Sequence, residues 1–211
     1  MYHIIINPTS KSGKGLSIWK SFEKLLSERN IPYKTYHSNH IGHVTELTEK
    51  ITSKATTAHN PINLIVLGGD GTVNEALQGI SDFDMVNLGY IPTGSSNDLA
   101  RALKLERDPV KLMTKILDGA HPRMIDLGIL TYESDTHIMS RLHKCPEQKS
   151  RYFIVSSGIG FDAAFCEEAL SSSIKNTLNK LRLGKLTYLG IALKQLITAK
   201  PVACEIYLDG R

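Results

Sequence analysis

Cysteine is scarce in this sequence, and its three copies lie far apart. Cys145, Cys166 and Cys204 form no C-x-x-C pair, and their number is odd. This pattern argues against a disulfide framework and against a cysteine zinc site, and it favours a reducing compartment. We therefore expect the protein in the cytoplasm.

Long apolar segments are also absent. The longest stretch without Asp, Glu, Lys or Arg is Ala55–Gly69, and it contains His59, Asn60 and Pro61. A membrane-spanning helix needs about 18 or more mostly apolar residues, so the sequence predicts no spanning helix. Residues 1–8 have no basic segment before their short apolar run, and no signal peptide is expected.

Neither sign of charge dominates. Lys plus Arg is 25 and Asp plus Glu is 21, which gives a formal net charge of +4. This balance is too mild to indicate nucleic-acid binding, and we expect no nucleic-acid partner. With 41% hydrophobic and 22% charged residues, the composition is that of a folded globular protein.

Short β-rich runs alternate with amphipathic segments over the first 120 residues. The pattern predicts strands at His3–Asn7, Tyr33–His37, Ile62–Leu67 and Val86–Ile91. It predicts helices at Leu16–Leu26, Val44–Ile51, Val73–Ile80, Asn97–Leu103 and Pro109–Asp118. Strands and helices alternating at this spacing predict an α/β fold, with a doubly wound parallel sheet built from βαβ units.

The pattern changes after Gly119. Paired strands are predicted at Arg123–Tyr132 and Tyr152–Ser157, joined by a polar segment. Helices follow at about Asp162–Leu170 and Lys175–Ala199, and a last strand at Val202–Leu208. We place a domain boundary near Pro122, with one domain at 1–121 and a second at 122–211. The second has too few strands to close a sheet, and we expect it to be incomplete.

Three loops that follow predicted strands carry the residues that bind phosphate in proteins. Gly68–Glu75 (GGDGTVNE) combines glycines, which permit positive φ and close backbone approach, with the start of a helix and a carboxylate suited to Mg²⁺. Pro92–Arg101 (PTGSSNDLAR) and Asn7–Gly15 (NPTSKSGKG) add hydroxyls and lysines. The latter is not a Walker A motif, because Pro8 and Gly15 occupy required Gly and Ser/Thr positions. All three loops leave the carboxyl ends of strands, where open α/β sheets bind ligands.

Two other patterns fail to indicate a dinucleotide site or a histidine metal site. Gly158–Ala163 fits G-x-G-x-x-A, but Ala169–Cys204 contains no Asp or Glu, whereas a dinucleotide site needs an acidic residue about 20 positions on. The histidines show neither H-x-x-x-H nor H-E-x-x-H spacing, so we expect no histidine metal site.

Taken in order, the motifs resemble those of diacylglycerol kinase catalytic domains, a group that includes soluble bacterial lipid kinases and the sphingosine kinases. The matching segments are Asn7–Lys14, Gly68–Glu75, Pro92–Asp98, Ile125–Gly128 and Gly158–Ala163. The resemblance implies a nucleotide-binding domain like those of phosphofructokinase and NAD kinase, followed by a β-sandwich domain. It also implies that ATP and the lipid meet between the two domains.

The resemblance assigns nucleotide contacts residue by residue. They are Asn7, Pro8, Thr9, Ser10, Lys11, Ser38, Gly69, Asp70, Gly71, Thr72, Val73, Asn74, Glu75 and Ser95. It further implies a polar network that orders Mg²⁺ and water near the phosphates, formed by Lys14, Asp70, Asp98, Arg101 and Asp126. Asp70 is the candidate metal ligand within the chain.

By this resemblance, the protein is an ATP- and Mg²⁺-dependent kinase of diacylglycerol or a related lipid. The family's proton acceptor lies in an Asp-Gly-Glu motif, whereas Asp209-Gly210-Arg211 only partly resembles it. We therefore expect these 211 residues to bind nucleotide without transferring phosphate. An NAD kinase-like enzyme and a non-catalytic nucleotide- or lipid-binding module are the alternatives, and a homodimer is left open.

The segment Ala169–Cys204 is basic throughout. It holds six Lys or Arg and no acidic residue, interspersed with leucines and isoleucines. Basic side chains near an anionic membrane surface contribute about 1 kcal/mol each. We expect peripheral association with the membrane that holds the lipid substrate, with a solvated basic helix face as the alternative.

Overall fold

A parallel sheet forms the centre of the first part of the chain. The structure, a computed structural model, describes residues 1–10, 14–53, 61–119, 121–131, 150–171 and 184–198. Strands β1 (Tyr2–Ile6), β2 (Tyr33–His37), β3 (Ile62–Gly68) and β4 (Val86–Pro92) lie in the order β2-β1-β3-β4. All three pairings are parallel, so the predicted parallel sheet is confirmed.

Helices follow or connect these strands at close to their predicted positions. They are α1 (Lys14–Glu28), α2 (His43–Thr52), α3 (Asp70–Gln78), α4 (Asp98–Ala102) and α5 (Pro109–Leu117). Helix α3 begins at Asp70, three residues before its predicted start at Val73. Its first turn therefore includes Asp70 and Gly71 of the glycine-rich loop. Helix α5 begins on Pro109, and the Asp108 carboxylate accepts hydrogen bonds from the amides of Val110 and Lys111.

Alternate residues of the strands are buried on opposite faces of the sheet. Ile4 and Ile6 of β1 pack on one face with α1 and α5, against a cluster that includes Phe22 and Met113. Ile5 packs on the other face with α2, α3 and α4. The β-rich runs are therefore continuous in sequence because both faces of the sheet are covered.

A two-stranded hairpin follows α5. Strands β5 (Gly128–Thr131) and β6 (Ser150–Phe153) pair with each other, as predicted, and run antiparallel. Both are shorter than the predicted runs. Contacts group Met1–Val155 into one compact unit and Ser156–Arg211 into another. The hairpin thus belongs to the first unit, and the domain boundary near Pro122 stays a prediction.

The second unit contains two described helices, α6 (Phe161–Ser171) and α7 (Gly184–Thr198). The Glu168 carboxylate accepts hydrogen bonds from Lys194 Nζ at 2.6 Å and Gln195 Nε2 at 2.5 Å. The predicted strand Val202–Leu208 lies outside the described residues. None of the described helices is long and apolar enough to cross a membrane.

Candidate functional site

The three polar loops leave the carboxyl ends of β1, β3 and β4. The chain passes from β1 outward to β2 and then returns to β3 on the other side of β1. In doubly wound sheets that begin in the order 2-1-3-4, ligands bind outside the carboxyl ends of the strands at this reversal. The candidate site therefore lies where β1 and β3 end.

A hydrogen bond crosses this reversal. Asn7, directly after β1, donates from Nδ2 to Thr72 Oγ1 at 3.0 Å. Its Oδ1 accepts from the backbone and hydroxyl of Thr9 at 3.1 and 2.8 Å. Ser10 Oγ and Thr93 Oγ1 lie 2.8 Å apart and join the first loop to the loop after β4. The three loops are thus fastened to one another by side chains.

The loops after β3 and β4 also touch through their backbones. A Cβ atom added to Gly94 would lie 2.6 Å from Gly69 Cα, and one added to Gly69 would lie 3.2 Å from Gly94 Cα. These glycines are therefore needed for close approach. The glycines of the GGDGT loop do not use the positive φ that this residue type permits, since the described glycines with positive φ are Gly42, Gly119 and Gly160.

The start of α3 presents unpaired backbone donors. The amides of Thr72 and Val73 both donate to the Gly69 carbonyl. Among the described residues, the amides of Asp70 and Gly71 have no acceptor, as is usual in the first turn of a helix. A Cβ added to Gly71 would meet nothing within 4 Å. This open, positively polarised helix end suits a phosphate group.

Asp70 performs a structural role that the sequence did not predict. Its carboxylate accepts from the Asp98 amide at 3.0 Å and the Leu99 amide at 3.2 Å. Asp70, the first residue of α3, therefore caps α4. Burial, and in second place the charge of Asp70, raises the pKa of the Tyr90 hydroxyl well above its ordinary value.

The loop after β4 is closed by one side chain. Asn97 has a left-handed backbone with φ 52°. Its Oδ1 accepts from the Gly94 amide at 2.9 Å, and its Nδ2 donates to the Gly94 carbonyl at 3.0 Å. Tyr90 donates its hydroxyl to the same Oδ1 at 3.3 Å. Ser95, a predicted nucleotide contact, is exposed at the tip of this loop.

The predicted polar network is assembled in part. Asp98 and Arg101 form an ion pair on α4, and Asp70 bonds to the amide of Asp98. Asp126 is exposed and, within the described part of the chain, forms no hydrogen bond or ion pair with these three. The side chain of Lys14 lies outside the described atoms, and Lys11 lies outside the described residues.

Four other predicted nucleotide contacts are either buried or hydrogen-bonded within the protein. Ser38 is buried, and its amide donates to the Ile6 carbonyl at 3.0 Å. The Val73 side chain is buried in the core. Both Asn74 Oδ1 and its carbonyl accept from Gln78 one turn later. Glu75 Oε2 accepts from the Gly42 amide at 3.0 Å, which ties α3 to the start of α2.

Sequence reasoning missed several residues that shape the site. Thr93 is not among the predicted site residues, although its hydroxyl oxygen lies 2.8 Å from that of Ser10. Asn97 is the N-cap residue of α4, but its side chain makes no capping hydrogen bond and instead closes the loop around Gly94. The left-handed tendency of asparagine could have indicated the latter. No sequence signal pairs Ser10 with a residue 83 positions away.

Comparison with known families decides the assignment. The model of the diacylglycerol kinase catalytic domain matches residues 1–130, more than half of the 211-residue chain. The chain belongs to this family. The matched range includes all three loops, which in this family member meet at the carboxyl edge of the sheet. The family predicted from the motifs is therefore confirmed.

Curated relatives agree with this family. The chain is 30% identical over 207 residues to "Putative lipid kinase YtlR" of Bacillus subtilis (strain 168), which is 96% of this chain and 62% of that protein. It is 37% identical over 128 residues to the diacylglycerol kinase of Staphylococcus carnosus (strain TM300), 59% of this chain and 39% of that one. The chain thus spans less than two thirds of either relative.

A solved structure is similar over a limited part. A diacylglycerol kinase from Bacillus anthracis str. Sterne superposes with a TM-score of 0.47 and 22% identity, covering 62% of this chain and 43% of that chain. Because this superposition is partial, we base the family assignment on the sequence matches.

Proposed function

We propose that this kinase transfers the γ-phosphoryl group of ATP to a primary hydroxyl of diacylglycerol or a related lipid. The observation that supports it most is the helix start at Asp70 and Gly71. Its two amides without acceptors among the described residues lie where β3 ends, beside two loops fastened to it, and a Cβ added to Gly71 meets nothing within 4 Å. The family supplies the kinase class, and the names of the relatives supply the lipid acceptor.

The phosphates of ATP would bind at the start of α3. The amides of Asp70 and Gly71 are donors at the positive end of the helix dipole, which stabilises anions. Ser95 is exposed on the loop after β4, and its hydroxyl extends the set of donors, whereas the Thr9 hydroxyl already donates to Asn7 Oδ1. The fixed backbones of these loops lower the entropic cost of placing a polyphosphate.

The residues present fit Mg²⁺. This cation keeps several waters and takes one or two carboxylates beside substrate phosphates. Asp70 is half-buried, and each of its oxygens accepts one backbone hydrogen bond, which leaves a further acceptor site on each. Asp70 would hold the hydrated cation with the neighbouring Asp98 carboxylate. When bound, Mg²⁺ supplies neutralisation of phosphate charge.

In phosphoryl transfer the protein mostly positions groups and stabilises charge. Here Asn7 and Thr72 hold the first loop against α3, and Asn97 holds the third loop closed. Asp70 fixes α4, which carries the ion pair of Asp98 and Arg101. We assign no described carboxylate as the acceptor of the lipid hydroxyl proton.

We also propose that the kinase reaches its substrate by peripheral association with anionic membrane surfaces. The support is the basic, acid-free segment Ala169–Cys204. In the described part of this segment, Leu193, Leu196 and Ile197 of α7 are exposed. Apolar side chains beside basic ones are the composition of interfacial helices.

Two measurements test the proposed function. Calorimetric titration should show that ATP·Mg²⁺ binds and that NAD does not compete for the site. Radiolabelled transfer in mixed micelles, measured on the protein at its native length, should label diacylglycerol or a related lipid. Transfer to NAD would establish the NAD kinase alternative, and nucleotide binding without transfer to any acceptor would establish a binding module.

A further inference from the structure

Two histidines and a glutamate meet at the start of α2, outside the three polar loops. His40 lies in the turn before the helix, His43 is its first residue, and Glu46 lies one turn later. One potential ligand atom of each residue lies within 4.8 Å of those of the other two. The spacing H-x-x-H-x-x-E thus assembles three donors although H-x-x-x-H is absent.

The turn between the two histidines is fixed by a hydrogen bond to α3 and by stacking of the two imidazole rings. Gly42 adopts a left-handed φ of 87°, and its amide donates to Glu75 Oε2 at 3.0 Å. The rings of His40 and His43 stack with centroids 4.7 Å apart and planes 16° from parallel. The two imidazoles are therefore brought together by backbone geometry before any ligand binds.

The hydrogen bonds of His40 leave a nitrogen for a ligand. Its Nδ1 lies 3.0 Å from the Ile41 carbonyl oxygen. A carbonyl oxygen only accepts, so Nδ1 must carry the proton in this contact. The lone pair of the neutral ring is then on Nε2, the atom that metal-bound histidines commonly use while Nδ1 donates to a carbonyl.

His43 is held differently. Its Nδ1 accepts from the Asn39 amide at 3.0 Å, so its neutral ring carries the proton on Nε2. Coordination through Nδ1 displaces the Asn39 amide, and coordination through Nε2 requires the proton to move to Nδ1. Either route breaks the hydrogen bond from the Asn39 amide to His43. The NMR signal of that amide therefore reports whether a metal ion is bound.

We propose that His40, His43 and Glu46 form a binding site for a divalent transition-metal cation, with Zn²⁺ as the best match. Two imidazoles, one carboxylate and a water are a donor set that Zn²⁺ accepts, whereas Mg²⁺ selects oxygen ligands. His40 and Glu46 are exposed, and His43 is half-buried. The cation is therefore exchangeable with solvent and distinct from the Mg²⁺ proposed at Asp70.

The test is a calorimetric titration of the full chain with Zn²⁺ at neutral pH in a non-chelating buffer. Loss of groups outside the coordination shell weakens metal binding by about 10- to 100-fold. His40→Ala, His43→Ala and Glu46→Gln, which remove or weaken ligands, are each expected to lower the affinity at least tenfold. The matched control is His121→Ala, which changes an exposed histidine outside the cluster.

Two further readouts make the result decisive. Zn²⁺ should shift the Asn39 amide resonance in a ¹H–¹⁵N spectrum, and excess Mg²⁺ should not reverse the shift. Circular dichroism checks that each variant is folded, and His40→Ala alters an exposed side chain that the core does not need. Unchanged Zn²⁺ affinity in folded His40→Ala, or an equal loss in His121→Ala, would overturn the site.

Discussion

The Gln78 side chain holds both main-chain groups of Tyr152. Gln78 Nε2 donates to the Tyr152 carbonyl at 3.0 Å, and the Tyr152 amide donates to Gln78 Oε1 at 3.0 Å. The side-chain amide of Gln78 thus makes the two hydrogen bonds to β6 that a neighbouring strand would make. Because α3 begins at Asp70 and ends at Gln78, one helix connects the phosphate loop to the hairpin.

Replacing Gln78 with Ala should loosen the hairpin. The change leaves two main-chain groups of Tyr152 without partners, and each unsatisfied polar group costs about 1–3 kcal/mol when buried. Since this contact is only partly buried, we expect a loss of about 1–2 kcal/mol in the free energy of unfolding. Urea denaturation measures this loss, and hydrogen exchange of the Tyr152 amide should accelerate.

The matched control for that change is Gln78→Glu. It keeps the acceptor for the Tyr152 amide and removes the donor to the Tyr152 carbonyl. Slow exchange of the amide should therefore persist in Gln78→Glu. Equal protection of Tyr152 in Gln78→Ala and in the unaltered protein would show that the clamp contributes nothing to the hairpin.

Replacing Gly71 with Val should block nucleotide binding without unfolding the protein. The added Cβ meets no protein atom within 4 Å, and the branched side chain adds bulk at the helix start where phosphate is proposed to bind. Calorimetry should show at least a tenfold loss in ATP·Mg²⁺ affinity, which corresponds to about 1.4 kcal/mol. The melting temperature should stay within a few degrees, because valine is no worse than glycine inside a helix.

Gly190→Val is the matched control. Gly190 also lies on a helix, α7, with nothing within 4 Å of an added Cβ, and it lies in the second unit. This variant should bind ATP·Mg²⁺ as tightly as the unaltered protein. Full ATP·Mg²⁺ affinity in Gly71→Val would show that the start of α3 is not part of the nucleotide site.

Replacing Asp70 with Asn should weaken the cap of α4. One amide oxygen cannot reproduce both contacts to the Asp98 and Leu99 amides, and loss of a cap costs about 0.5–2 kcal/mol. The same change removes the negative charge that helps raise the pKa of Tyr90. The Tyr90 pKa should therefore fall, while burial keeps it above its ordinary value. Urea denaturation and spectrophotometric titration measure the two effects.

Asp108→Asn provides the comparison for this change. Asp108 caps α5 through a single oxygen that accepts from both Val110 and Lys111, and asparagine caps helices about as well as aspartate. A smaller loss of stability is expected than for Asp70→Asn. An Asp70→Asn protein with unaltered stability and an unaltered Tyr90 titration would contradict the capping role.

Replacing Lys180, Arg182 and Lys185 with Gln should weaken membrane binding. Each basic group contributes about 1 kcal/mol near an anionic surface, and salt screens this attraction. The unaltered protein should sediment with anionic vesicles, bind neutral ones poorly and be released by high salt. The triple variant should sediment less and keep its ATP affinity.

A second triple variant removes the same charge elsewhere. Lys20, Lys104 and Lys111 are exposed on the first unit, and their replacement with Gln should leave sedimentation nearly unchanged. Equal sedimentation with neutral and anionic vesicles would show that the basic segment is a solvated face, as would equal effects of the two triple variants.

The sequence by itself determined the strands, the order of the helices and the loops with polar chemistry. Ile62–Leu67 is predicted within one residue of β3 because a run buried on both faces is continuously apolar. The glycine and hydroxyl residues that follow β1, β3 and β4 could be read as phosphate loops, since parallel strands present their carboxyl ends at one edge. These are local signals, carried by neighbouring residues.

Only the tertiary structure decided which side chains meet. Asn7 reaches Thr72 across 65 positions, and Gln78 reaches Tyr152 across 74. Such pairs depend on strand order and on where each helix packs, and no local pattern encodes either. Asp70 shows the same limit: its residue type predicted a metal ligand, but only the fold shows that the amides of Asp98 and Leu99 also bond to its two oxygens.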